Sequence, residues 1–188
     1  MSTFIHVSKK LETLIKKHIT SFRETENIGI LGKWNATVFY VNRTKNWLLY
    51  NPKTHYSLIL ENITAKDLPN IKEKIAQEFH IQLAVDRINS TQLQVNWLLD
   101  EISFLPTDAD RSALSYINQI LLTIECHLSG EHYPSLAQIN TYLNDSIFSL
   151  DGPSKYTRIT TPRKEMAKIL ALYLAIDQDK PTDERLMN

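Results

Sequence analysis

A chain of 188 residues with 43% apolar and 22% charged side chains is long enough to bury a real core and has the composition of an ordinary folded domain. No apolar run approaches the ~20 residues of a membrane helix, no signal-peptide pattern opens the sequence, and the lone Cys126 excludes an internal disulfide. A cytoplasmic protein without a membrane anchor is therefore expected. The formal charge is zero but segregated: residues 1–62 carry nine Lys/Arg against four acids, residues 63–152 five against twelve, and residues 153–188 seven against five. Such asymmetry can orient a partner, or the basic and acidic segments can pack together within one fold. A neutral total argues against bulk nucleic-acid binding and leaves room for a local basic patch.

Thr3–Val7 reads as a short strand, and Ser8 as the cap of a helix over Lys9–His18 with Leu11, Leu14 and Ile15 at helical spacing. Residues 20–33 read as a loop. Trp34–Val41 alternates with apolar side chains on both faces, which predicts a largely buried strand. A hairpin loop at Asn42–Asn46, a strand at Trp47–Tyr50, a Pro-containing turn at Asn51–Thr54 and a strand at His55–Glu61 complete a meander. Thr64, with Leu68, Ile71, Ile75 and Phe79, predicts a helix to about His80, its start free to slip to Leu68 because of Pro69. Residues 83–99 fit helix or strand, with Trp97, Leu98 and Leu99 expected inside. Glu101–Leu105 reads as a further strand.

Asp110 opens the clearest helix, with Ala113, Leu114, Ile117, Ile120, Leu121, Ile124 and Leu128 on one face and Gly130 at its end. A helix over Ser135–Leu143, an extended linker over Ser146–Thr160, and a helix from Thr161-Pro162 to about Ile176 follow. The expectation is one α+β domain: an antiparallel β-meander with one or two added strands and helices packed on one face. Its core spans 3–128, with a helical extension over 129–177 and a frayed tail over 178–188.

Chemistry-bearing residues are sparse. Arg111, Ser115 and Asn118, at i, i+4 and i+7, share one side of the long helix and offer an Arg fork and a carboxamide to a carboxylate or phosphate. The same three residues can equally lock the helix to its neighbours. Arg43 and Lys45, with Trp47 and other aromatics close in sequence, have the residue types that hold single-stranded nucleic acid, or that pair across a half-buried sheet. Glu125, Cys126, His127, Glu131 and His132 are ligand types, but adjacent helical residues point about 100° apart and no zinc spacing supports them. No metal site and no cofactor are expected. The basic group Lys155, Arg158, Arg163, Lys164 and Lys168 reads mainly as a solvated face. With four glycines there is no phosphate-cradling loop, and no nucleophile elbow is present.

The segments FIHVSKKL at Phe4–Leu11, Trp34 and Ala36, Arg43, LLYN at Leu48–Asn51, Thr54, Tyr56, Ser57 and DRSALSYINQ from Asp110 together resemble a family of bacterial proteins known only as a domain of unknown function. The last segment is similar to a family form N-R-S-V-L-G-S-M-N-D, from which it departs at Ser115, where Gly is usual, and at Gln119, where an acid is common. The resemblance covers about residues 4–128 and is looser beyond. It implies the fold and no activity. The sequence then favours a non-enzymatic protein-interaction module, with an accessory role in a mobile element or defence system as one setting. A nucleic-acid binder, or a small-ligand domain or enzyme with its pocket near Arg111, are the alternatives.

Overall fold

The computed structural model describes residues 2–20, 28–99, 101–130, 134–150 and 158–178. Its centre is a mixed five-stranded sheet built from β1 (Ser2–Val7), β2 (Trp34–Val41), β3 (Thr44–Tyr50), β4 (Ser57–Leu60) and β5 (Glu101–Leu105). In space the order is β4-β3-β2-β1-β5. The meander β2-β3-β4 is antiparallel, and β1 runs parallel to both β2 and β5. The architecture is α+β, a meander extended by two added strands.

Parallel neighbours need crossover connections, and helices supply them. Between β1 and β2 the chain forms α1 (Lys9–Leu14), capped by the Ser8 side chain on the Leu11 amide. Ile15 leaves helical geometry and the rest of the expected helix becomes a 3₁₀ turn at Lys16–His18. Between β4 and β5 lie a 3₁₀ turn at Leu68–Asn70, α2 (Ile71–Val85) and α3 (Gln92–Leu98), the last opened by a reciprocal Thr91/Gln94 capping box. After β5 come α4 (Arg111–Leu128), α5 (Leu136–Asp145), a two-residue pairing of β6 (Phe148–Ser149) with β7 (Ile159–Thr160), and α6 (Pro162–Gln178). Residues 151–157 of the expected linker and the expected tail over 179–188 lie outside the described residues.

Alternation along the strands divides the interior in two. Ile5, Trp34, Ala36, Trp47, Leu49 and Leu58 face one way and pack with Ile75 and Phe79 of α2, Val95 of α3 and Met166 of α6. Phe39, Leu48, Tyr50 and Ile59 face the other way and pack with Ala113 and Ile117 of α4 and Ile139 of α5. Helices on one face were expected; they cover both. The cause is the apolar character of both faces of β2 and β3, each of which needs its own cover. Helices beyond residue 129 thus contribute to both cores.

Two further expectations are corrected. The hairpin loop is not five residues but the two-residue turn Asn42-Arg43, whose φ angles of 48° and 66° give the positive-φ pair that matches strand twist. Trp97 was expected inside and is 44% exposed, whereas Leu98 and Leu99 are buried. In a helix of seven residues, Val95 and Leu98 take the inward side and Trp97 falls roughly 200° from Val95.

Candidate functional site

The turn between β3 and β4 is organised by one carboxamide. Asn51 Oδ1 accepts from the Thr54 amide and hydroxyl, both at 3.0 Å, and its Nδ2 donates to the Leu31 carbonyl at 2.8 Å. The Tyr56 amide donates to Thr54 Oγ1, and the Asn51 amide to the Tyr56 carbonyl. This closed set fixes His55 at φ 60°, a left-handed conformation in which side chains are uncommon.

The strained backbone aims the imidazole into a set of rings. Its centroid lies 4.5 Å from Tyr116 of α4 in an edge-on contact and 4.2 Å from Phe148 in a tilted one. Tyr50 stacks on Tyr116 at 5.9 Å, and its hydroxyl lies 3.0 Å from His55 Nδ1. With that hydroxyl donating, the imidazole carries its own proton on Nε2. Burial lowers the His55 pKa. Burial, reinforced by Tyr116 and Asp110, pushes the Tyr50 hydroxyl far above its ordinary value. Both groups are uncharged near neutral pH.

These rings floor a groove of about 230 Å³ between α4, α5 and the β6 segment. Tyr116, Ile120 and Thr123 form one wall, and Tyr142, Ile147 and Phe148 the other. Thr123 and Tyr142 also wall a second, more open trough with Leu122, Cys126 and His127, so the depression continues along α4. His127 packs edge-on against Tyr142 at 4.7 Å. Large apolar side chains stand in the open along it: Ile147 is 75% exposed and Leu122 61%. A ring-lined trough with a few hydroxyls and amides, and no carboxylate, lysine or arginine in its walls, is suited to holding an apolar or aromatic group.

Buried polar chemistry also holds the groove's wall in place. Asn144 of α5 donates to the Ser57 carbonyl at 3.1 Å and accepts from the Ser57 amide at 2.9 Å, joining the helix to the outer edge of β4. It donates as well to Asp86, which takes further bonds from Tyr56 Oη at 2.5 Å and Gln82 Nε2 at 3.0 Å. Burial raises the Asp86 pKa against the pull of these donors. Every partner in this network is buried, and it joins α2, β4 and α5 as scaffold.

The residues singled out from sequence fall elsewhere. Arg111, Ser115 and Asn118 do share one side of α4, but that side is exposed to solvent and lies roughly 100° or more around the helix from the groove wall. None of them lines the groove. Arg43 is exposed at the hairpin tip and Lys45 is half-buried beside it, whereas Trp47 is 1% exposed within the core and cannot stack on a base. Among the described residues no group of three metal-ligating side chains converges; Glu131 and His132 lie outside them. Cys126 is exposed. Lys155 is outside the described residues, Arg163 pairs with Asp145 at 2.8 Å, and Lys168 pairs with Glu165 at 2.6 Å. No helix of the described residues is long and apolar enough to cross a membrane.

Sequence reading missed His55, Tyr116 and Phe148. The groove assembles from three stretches far apart in the chain, and no local motif marks any of them. A comparison with characterised proteins gives no match. The family model described as "Domain of unknown function (DUF6933)" matches residues 4–165, a span that takes in most of β1, all of β2 to β7 and every wall of the groove, and the chain belongs to that family.

Proposed function

We propose that this chain is a non-enzymatic binding module of the bacterial cytoplasm, and that the α4–α5 groove receives an apolar or aromatic side chain from a segment of a partner protein. One observation carries the reading: a strained His55, held neutral, completes an aromatic floor beneath a trough whose rim exposes Tyr142, Ile147 and Leu122. Backbone strain that the surrounding turn over-determines is common where a binding surface must be preformed. Apolar anchors entering such pockets dominate many peptide interfaces.

The test is a displayed random-peptide selection against the wild-type chain, with selected peptides titrated by calorimetry. Peptides sharing a bulky apolar or aromatic anchor are expected, with a negative heat-capacity change on binding. Tyr142→Ala and Ile147→Asp, both at exposed positions, should weaken them about tenfold or more. Binders indifferent to both substitutions, or no enriched sequence at all, would overturn the proposal.

A further inference from the structure

We propose that the tip of the β2–β3 hairpin, together with the start of α1, is a contact surface for single-stranded nucleic acid. It lies away from the groove and does not depend on it. Tyr40, 49% exposed, sits directly across the ladder from Lys45. Lys10 of α1 places its ammonium 4.8 Å from the centre of the same ring. The next residues of the chain form the Asn42-Arg43 turn, in which Arg43 holds φ 66° and points an exposed guanidinium from the tip. A turn of this kind favours glycine at that position, so the arginine stands where local geometry disfavours it.

Several cations elsewhere in the fold are held in ion pairs. Lys33 is neutralised by Asp108 at 2.6 Å and Asp110 at 3.1 Å, and Lys74 by Asp67 at 3.0 Å. Lys9, Lys10, Arg43 and Lys45 make no ion pair among the described residues. Three uncompensated cations, Lys10, Arg43 and Lys45, beside one exposed aromatic ring match a strand of phosphates carrying stackable bases. An acidic peptide would use the cations and leave the ring idle. The structure also replaces the aromatic that sequence proximity suggested: Trp47 belongs to the core, and Tyr40 takes the surface position.

The test is fluorescence anisotropy with a short labelled oligo(dT), titrated across a salt series. Binding that weakens with salt is expected. Arg43→Ala should lower the log–log salt slope by about 0.7, the contribution of one phosphate contact on a single strand. Tyr40→Ala should weaken binding about tenfold with little change in slope, and Tyr40→Phe should retain it. Lys66→Ala, an exposed cation elsewhere, should match wild type. Absence of binding at low salt, binding unchanged by Tyr40→Ala, or equal competition by polyglutamate or anionic vesicles would each overturn the proposal. All substituted side chains are at the surface, and a thermal melt of each variant keeps loss of fold distinct from loss of contact.

Discussion

A half-buried imidazole that stays neutral ties stability to pH. The His55 pKa is lowered from 6.5 by burial, so as pH falls the unfolded chain takes up this proton before the folded one does. The contribution is fully present above the unfolded value and is lost as pH drops toward the folded value, with a slope of at most ~1.4 kcal/mol per pH unit for one proton. His55→Asn, which tolerates the left-handed backbone, should flatten that arm of the stability curve in urea melts run between neutral and mildly acidic pH. An unchanged slope would assign the arm to another group. At this scale the sequence is a poor guide, because a side chain's role follows from neighbours it does not reveal. Trp47 and Trp97 illustrate the point in opposite senses: the aromatic offered as a nucleic-acid contact or a cross-strand partner is 1% exposed, and the one expected inside is 44% exposed.

Elements were far more legible. Ser8, Asp110, Ser135 and Thr161 each cap the helix they were expected to open, because a short side-chain acceptor ahead of an apolar stripe is a local signal with a local cause. The stripe on α4 was readable too, although only Ala113, Ile117 and Ile124 of it are fully buried. The hairpin failed for a physical reason: a two-residue turn normally announces itself with glycine, and here Arg43 occupies the position. Also unreadable was the Asn144 clasp, in which one side chain satisfies both backbone groups of Ser57 across 87 residues of sequence. Asn144→Ala leaves those groups and one Asp86 oxygen without this partner, and should cost about 3 kcal/mol. Light scattering of the variant should show concentration-dependent association, since an uncovered strand edge invites pairing with another chain.

For the whole molecule, the decisive feature is that both sides of the sheet are interior. Leu48 and Leu49 are neighbours in sequence, 0% and 2% exposed, and belong to different cores. Leu48→Ala and Leu49→Ala should therefore each lower stability by about 2–5 kcal/mol in denaturant titrations. A sheet covered on one side would tolerate one of the two. The α+β class was readable from the meander and its flanking helices, while the two-sided cover was present in the sequence only as the apolar content of both faces of β2. The same layout has a consequence in time. The β5 edge is met by Thr20, whose amide bonds to the Phe104 carbonyl and which is already made when β5 appears. The β4 edge waits for Asn144, 87 residues after Ser57. At ~5–20 residues per second of synthesis, that edge stands open for roughly 4–17 seconds on every ribosome. The growing chain is thus exposed to pairing with its neighbours on a polysome for a definite interval, which closes when α5 emerges.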